Sequence, residues 1–434
     1  MQVDTLINAR WIIPVEPHEV VLEHHALVIH EGIILDILPQ QQAQEKYQAQ
    51  QQENLLDHAL IPGFINAHTH VAMTLFRGIA DDLPLMDWLE NHIWPLEKKW
   101  ANEAFVRDGT DLAIAEMLRG GTTCFNDMYF FPEVTAHQAI QHGIRANIGL
   151  IMIDFPTAWA DGPEQYIEKG LALYEELRHE PLIRTPFAPH APYTVSDAPL
   201  QQISALAAEL DLPIHMHVHE TLHEVSQGER PLKRLHNLGL INPAFIAVHM
   251  TQLSNSEIDQ FAKAGAHIVH CPESNLKLAS GFCPVKKCLD AGINVALGTD
   301  GAASNNDLDM LGEMRTAALL AKGVAQDASA VTAATALRMA TLNGAKALGI
   351  DDITGSLTTG KAADICAIDL SDLETQPLYN AISQIVYSAS RHQVSDVWVA
   401  GKRCLKNKQL TTLNLQDLKN KIEKWQQKLQ APAN

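Results

Sequence analysis

No two of the six cysteines form a C-x-x-C pair: Cys124, Cys271, Cys283, Cys288, Cys366 and Cys404 are scattered, and Cys283 and Cys288 have four residues between them. This excludes the cytidine-deaminase type of zinc site, which needs such a pair. In a chain this long it predicts free thiols in a reducing cytosol. Positive charge is also scarce. Lysines and arginines total 32 against 51 aspartates and glutamates, a net charge of −19. That balance argues against nucleic acid or an anionic membrane as partner, because both are polyanions. No apolar run approaches the ~20 residues that span a bilayer. Residues 1–10 lack the basic segment and apolar core of a secretory signal. No G-x-G-x-x-G follows an early strand, which removes the main support for a doubly wound dinucleotide fold. What remains is a soluble globular chain of 434 residues, long enough for one large domain and a smaller one.

Periodicity organises the middle of the chain. Short apolar runs at 60–66, 121–127, 144–152, 182–188, 212–218, 245–250, 266–271 and 293–299 read as strands, separated by amphipathic segments such as 108–119 and 254–264. The segment 254–264 opens on Ser254 with Glu257 three residues later, a capping-box pattern. Eight strands alternating with helices over roughly 250 residues predict an α/β fold of the (β/α)8 TIM-barrel type.

The ends read differently. Residues 5–13, 26–29 and 33–38 are β-like, with a Glu31-Gly32 turn and a Gln-rich, exposed stretch at 40–52. Residues 354–369 and 396–400 again suggest turn and strand, and 415–429 has helical spacing. Neither end carries enough apolar strand to fold alone. Residues 1–59 and 351–434 are therefore expected to join as a composite β-sandwich domain flanking a barrel over 60–350.

Histidine is abundant, at 21 residues, and its placement matters more than its number. His68-Thr69-His70 follows the run Leu60-Ile61-Pro62-Gly63-Phe64-Ile65-Asn66-Ala67. Strand side chains repeat every two residues, so both imidazoles face one side and form half of a metal site. Two surface histidines would be the bland alternative. Downstream, His215, His217 and His219 end the fifth expected strand, His249 the sixth and Asp300 the eighth. Barrels carry their active sites at these strand ends, so histidines and an aspartate from four strands point to one metal centre. A rival motif overlaps them. His219-Glu220-Thr221-Leu222-His223 matches the H-E-x-x-H of zinc proteases, but that motif needs both histidines on one helix face and leaves His68, His70 and Asp300 unexplained.

The combined pattern resembles the amidohydrolase superfamily and, within it, the 5-methylthioadenosine/S-adenosylhomocysteine deaminases. The resemblance spans nearly the whole chain. It rests on the 62–70 motif, Trp88 and Glu97, Ala188-Pro189-His190-Ala191-Pro192-Tyr193, His217-Val218-His219-Glu220-Thr221, the 270–278 and 298–306 segments and Gly355–Asp364. It implies that His68, His70, His217 and Asp300 bind one divalent ion, with zinc expected. Two-metal relatives use a carboxylated lysine ending strand 4, where this chain has Phe187-Ala188-Pro189-His190; a mononuclear site is therefore expected, with His249 left to orient the attacking water.

In that scheme Asp300 accepts the water proton and Glu220 protonates N1 of an adenine ring, although a helix N-terminal carboxylate would sit at Glu220 equally well. Of the substrate residues, His190 is expected at the purine, Glu97 at the ribose hydroxyls and Trp88 on the thioether side. Each also has a structural reading: loop fixation, a solvated helix carboxylate and core packing. Arg145 is a candidate for a homocysteine carboxylate. His215, His270, Asn275 and Lys277 read as supporting architecture. The expected protein is a cytoplasmic, homo-oligomeric deaminase of small nucleosides, with guanine deamination or triazine hydrolysis as the close alternatives.

Overall fold

The computed structural model describes residues 1–226 and 228–431. The middle of the chain forms two parallel sheets. One runs Phe64–Thr69, Thr122–Asp127, Arg145–Ile148, Ile183–Arg184; the other runs Asn294–Leu297, His267–His270, Phe245–His249, Ile214–Val218, Phe187–Pro189, Leu150–Met152. Helices connect successive strands, as parallel pairing requires. The strands are buried on both faces and therefore read as continuous apolar runs.

The two sheets meet twice. The segment expected as one strand over 144–152 breaks at Gly149, so Arg145–Ile148 lies in one sheet and Leu150–Met152 in the other. A Cβ at Gly149 would lie 2.5 Å from the Asp127 carbonyl, which only glycine avoids. Residues 182–188 divide in the same way around 185–186. At the other seam Thr69 bridges Asp300 in parallel, and the Asp300 N–H donates to the His68 carbonyl at 3.1 Å.

The first expected strand is corrected. Gln48–Pro62 belongs to a separate sheet, and the strand leading into the histidine pair is Phe64–Thr69. Pro62-Gly63 in the middle of one apolar run marks where the chain changes sheet.

The terminal segments do join, as one sheet of eight strands. Its order is Gln409–Leu410, Lys402–Lys406, Val394–Val399, Ile365–Asp369, Gln48–Pro62, Gln2–Ile12, Leu22–His30, Ile33–Pro39. Ile365 pairs with Pro62 and Ala367 with Leu60, which brings the two chain ends together. This is one continuous ladder rather than two separately ordered sheets. It curls until the turn at Glu31-Gly32 reaches the turn at Ala400-Gly401, where a Cβ on Gly401 would lie 2.9 Å from the Gly32 Cα. The Gln-rich stretch is exposed over most of its length but ordered, as helix Gln40–Lys46 and the start of strand Gln48–Pro62.

Helix Glu103–Arg119 is capped by Asn102, whose side chain accepts from the Ala104 and Phe105 N–H groups. Helix Asn255–Ala264 carries the full Ser254/Glu257 capping box. The terminal helix runs Leu415–Gln430. No helix among the described residues is long and apolar enough to cross a membrane.

Candidate metal centre

Four strand ends bring His68, His217, His249 and Asp300 together, with one donor atom from each lying within 4.8 Å of the others. His70 reaches the same point: its Nε2 and that of His68 each lie 3.2 Å from Asp300 Oδ1. Gly298 permits the approach, since a Cβ there would sit 2.7 Å from the His68 nitrogen.

The outer nitrogens fix which ring atoms face the cluster. His70 Nδ1 lies 2.6 Å from the Met128 carbonyl and His217 Nδ1 lies 2.7 Å from the His190 carbonyl. A carbonyl can only accept, so both Nδ1 atoms carry the proton. Burial holds His217 well below its ordinary pKa, and neighbouring imidazoles push it further. Its ring is neutral and its Nε2 is a bare lone pair. Burial likewise lowers His68 to about 4, against the pull of Asp300. His68 Nδ1 lies 3.0 Å from His215 Nε2, so the ring one layer down fixes the orientation of the His68 imidazole.

At His70 burial is outweighed by the Asp300 carboxylate beside Nε2, which raises the His70 pKa, while His217 Nε2 faces His68 Nε2 at 3.1 Å. Electron-rich atoms this close repel unless positive charge lies between them. Asp300 Oδ2 is turned away, accepting from Ser274 Oγ at 2.6 Å and Ser304 Oγ at 2.9 Å, which leaves Oδ1 free. Three imidazoles and a carboxylate with their outer atoms tied fit a divalent transition-metal ion.

His249 is prepared differently. The Asn275 amide nitrogen lies 3.0 Å from His249 Nδ1, so with that amide donating the ring proton sits on Nε2. Nε2 points toward Glu220 Oε2 at 3.7 Å. Burial lowers His249 to about 3. Burial also raises the Glu220 carboxyl well above the usual range, with the Asp300 and Glu224 charges adding to the effect. Non-glycine residues adopt positive φ here, at 76° for His249 and 63° for Asp300. Such strain is held only where surrounding structure over-determines it.

A cavity of about 620 Å³ opens over these groups, lined by His70, His190, His217, Glu220, His249 and Asp300, and beyond them by Trp88 and Glu97. His68 lies just beneath, fully buried. The wall bearing Trp88 and Glu97 is one helical run in which Trp88–Ile93 makes wide π-type turns. Burial pushes Glu97 up to about 7, with the Tyr129 hydroxyl beside it pulling it down. His190 Nδ1 is bonded to Thr194 Oγ1 at 3.0 Å. The Trp88 indole N–H has no partner among the described residues.

One expectation fails, and the rival motif is not formed. Arg145 stands outside the cavity, buried at the start of its strand with Nε 3.0 Å from Asp364 Oδ2, where it ties the middle of the chain to the terminal sheet. The H-E-x-x-H geometry is absent: His219 is off the helix and 4.0 Å from Glu257 Oε1, while His223 is exposed on helix Leu222–Ser226. Ser274, Ser304 and Glu224 escaped sequence reasoning. The Glu224 carboxylate accepts the His219 and Glu220 N–H groups at 2.9 and 2.8 Å and so holds the Glu220 loop. Glu224, four residues beyond Glu220 in a loop-to-helix corner, was the one readable signal among them.

Parallel α/β layers carrying an imidazole–carboxylate cluster at their strand ends define a metal-binding enzyme scaffold. Residues 59–404 match the amidohydrolase family. The chain is 52% identical over 433 residues to the 5-methylthioadenosine/S-adenosylhomocysteine deaminase of Saccharophagus degradans, across 99% of this chain and 97% of that one. A crystal structure of an adenosine deaminase from Xanthomonas campestris with bound zinc superposes with a TM-score of 0.98 at 53% identity, covering 99% of both chains. The zinc complex of atrazine chlorohydrolase from Arthrobacter aurescens gives 0.91 at 23% identity, over 97% of this chain and 99% of that one, a likeness of fold alone. The chain belongs to the amidohydrolase family and, within it, to the 5-methylthioadenosine/S-adenosylhomocysteine deaminases.

Proposed function

We propose that this protein hydrolytically deaminates adenine nucleosides with 5′-thio substituents, giving the inosine-type product and ammonia. The two parallel sheets make one closed (β/α)8 barrel, supported by the Gly149 seam and the Thr69–Asp300 bridge. The curled terminal sheet is the composite domain, with its boundary at Gly63 rather than at residue 59. The observation that carries the reading is the convergence of the His68 and His70 Nε2 atoms on one Asp300 oxygen, with His217 Nε2 3.1 Å from that of His68.

Those four residues would hold one divalent ion, zinc by the likeness to the zinc-bound neighbour. When bound, the ion supplies positive charge that makes water acidic enough to attack near neutral pH. The Asp300 carboxylate takes a proton from the attacking water, and the His249 Nε2–H directs its oxygen toward C6 of the adenine. Attack places negative charge on N1, and the protonated Glu220 carboxyl donates there. The proton on Asp300 then goes to the C6 amine, which leaves as ammonia, and the C6 hydroxyl gives its proton to the Glu220 carboxylate, restoring it as the C6–O bond becomes a carbonyl. His190 meets the purine, Glu97 accepts the ribose hydroxyls and Trp88 packs beside the thioether.

Glu97 favours nucleosides over guanine or triazines, which have no ribose for it to hold. Lys98 is the one lysine or arginine lining the cavity among the described residues. Methylthioadenosine should therefore outpace S-adenosylhomocysteine, whose carboxylate finds little positive charge. The six cysteines are unpaired and buried, which suits a cytoplasmic site, and the assembly is proposed as a homo-oligomer. An ammonia-release assay across methylthioadenosine, S-adenosylhomocysteine, adenosine, guanine and melamine, with metal analysis of the same sample, tests the reading. Fastest turnover of guanine or melamine, or full activity without stoichiometric metal, would reject it.

A further inference from the structure

A second cavity, of about 440 Å³, opens at the opposite ends of the parallel strands. It is formed where strands begin, at Ile183–Arg184 and His267, and by Lys346 on helix Leu342–Ala347. The metal centre lies at the other ends of those strands, so the two share no lining residue.

The lining is unusual for a chain of net charge −19. Arg178, Arg184 and Lys346 face the cavity against a single carboxylate, Asp211. Arg178 has a partner, Glu175, at 3.3 Å. Arg184 and Lys346 form no ion pair among the described residues, although acidic side chains are in excess over the rest of the surface. Burial keeps His267 below its ordinary pKa, so this ring contributes a neutral edge.

Asn147 is the second, independent observation. It is 1% exposed and lines the cavity, yet neither its amide nitrogen nor its amide oxygen has a hydrogen-bond partner among the described residues. Its backbone pairs with Arg184 across adjacent strands, which places both residues on the same side of the sheet. Buried amides are almost always satisfied, and an orphaned one calls for a missing partner. Two unpaired cations at the mouth and a free amide donor at the floor are the parts of an oxyanion site.

We propose that this cavity binds a phosphate group, held by Arg184 and Lys346 with the Asn147 amide donating to it. A multiply charged oxyanion uses all three groups, and the excess of positive charge distinguishes it from a neutral or cationic ligand. The source could be inorganic phosphate or the phosphate of a nucleotide, and these form separate arms of the test.

Calorimetric titration of the metal-loaded protein with inorganic phosphate, AMP and adenosine would be run at constant ionic strength, alongside thermal melting. Saturable binding of phosphate or AMP that depends on Arg184 and Lys346 is expected, whereas adenosine should bind only at the metal centre and be indifferent to both residues. Arg184→Gln and Lys346→Gln should each weaken it by about tenfold or more, about 1.4 kcal/mol. If AMP alone saturates, the site reads a nucleotide; if both do, it reads the phosphate itself. Asn147→Ala removes a group with no protein partner, so it should leave the ligand-free melting temperature unchanged while abolishing the phosphate-induced rise. Absence of saturable phosphate and AMP binding would overturn the proposal and leave Asn147 to water. Binding indifferent to the three substitutions would overturn it equally.

Discussion

At the C-terminal ends of the parallel strands the outer atoms of the metal-facing groups are already committed: His70 to a carbonyl, His217 to another, His68 to His215, Asp300 to two serines. At the N-terminal ends Arg184, Lys346 and Asn147 have no ion-pair or side-chain hydrogen-bond partner among the described residues, around a cavity of similar scale. The contrast separates two kinds of site. A group that must hold a cation through many turnovers is oriented in advance, because each fixed tautomer and rotamer removes an ordering cost from binding. A group that meets an exchangeable ligand can wait unpaired if water reaches it.

Breaking the committed end should have the largest effects. Asp300→Ala or His217→Ala removes a ligand, so metal content and ammonia release should fall together by orders of magnitude. Glu220→Gln should separate the two, retaining the metal while turnover drops by about 10²–10⁴; near-normal activity would remove Glu220 from the mechanism. The supporting layer gives a smaller effect. Ser304→Ala takes one hydrogen bond from Asp300 and should weaken metal affinity by about 10–100-fold, measured by chelator competition.

The N-terminal ends contain one closed pair that sharpens the comparison. Arg145 and Asp364 are both buried. Arg145→Met leaves the buried carboxylate without its counter-charge, with the Ala400 N–H still donating to it, and should cost about 3–5 kcal/mol in denaturant stability, with turnover per folded molecule unchanged. The unpaired Arg184, substituted by Gln, should cost almost nothing.

The pH response tests Glu97. With the carboxyl pushed up to about 7 from an ordinary 4.5, the folded state keeps a proton that the unfolded chain has released. Its contribution to stability therefore falls as pH rises from about 4.5 to about 7. The ionised form accepts ribose hydroxyls, so nucleoside KM should fall as pH rises through about 7. Glu97→Ala should weaken nucleosides by about 1.5–3 kcal/mol and spare free adenine. A KM for nucleosides independent of both pH and this side chain would detach Glu97 from the ribose.

Much of this architecture could be read in the residues. Strands that end in His217, His249 and Asp300 announce themselves as apolar runs stopping at polar atoms, and the Ser254/Glu257 cap declares a helix start by local chemistry alone. Pro62-Gly63 hid the passage between sheets because both halves of the run are equally buried. Gly149 hid a seam because its constraint is the Asp127 carbonyl, far away in sequence. Arg145 was misassigned for the same reason: its partner Asp364 lies at the other end of the chain. Ser274 and Ser304 lie in segments that carried the resemblance, but their role was hidden because it exists only once Asp300 is folded against them. Groups acting along one strand were legible, whereas those defined by a distant partner were not.

The most direct measurement is an anomalous-diffraction map of zinc-loaded crystals. One ion per chain is expected, bound by the Nε2 atoms of His68, His70 and His217 and by Asp300 Oδ1 at about 2.0–2.2 Å, with His249 outside the coordination shell. An ion that takes His249 in place of His70, or active protein with no ion at this position, would contradict the account.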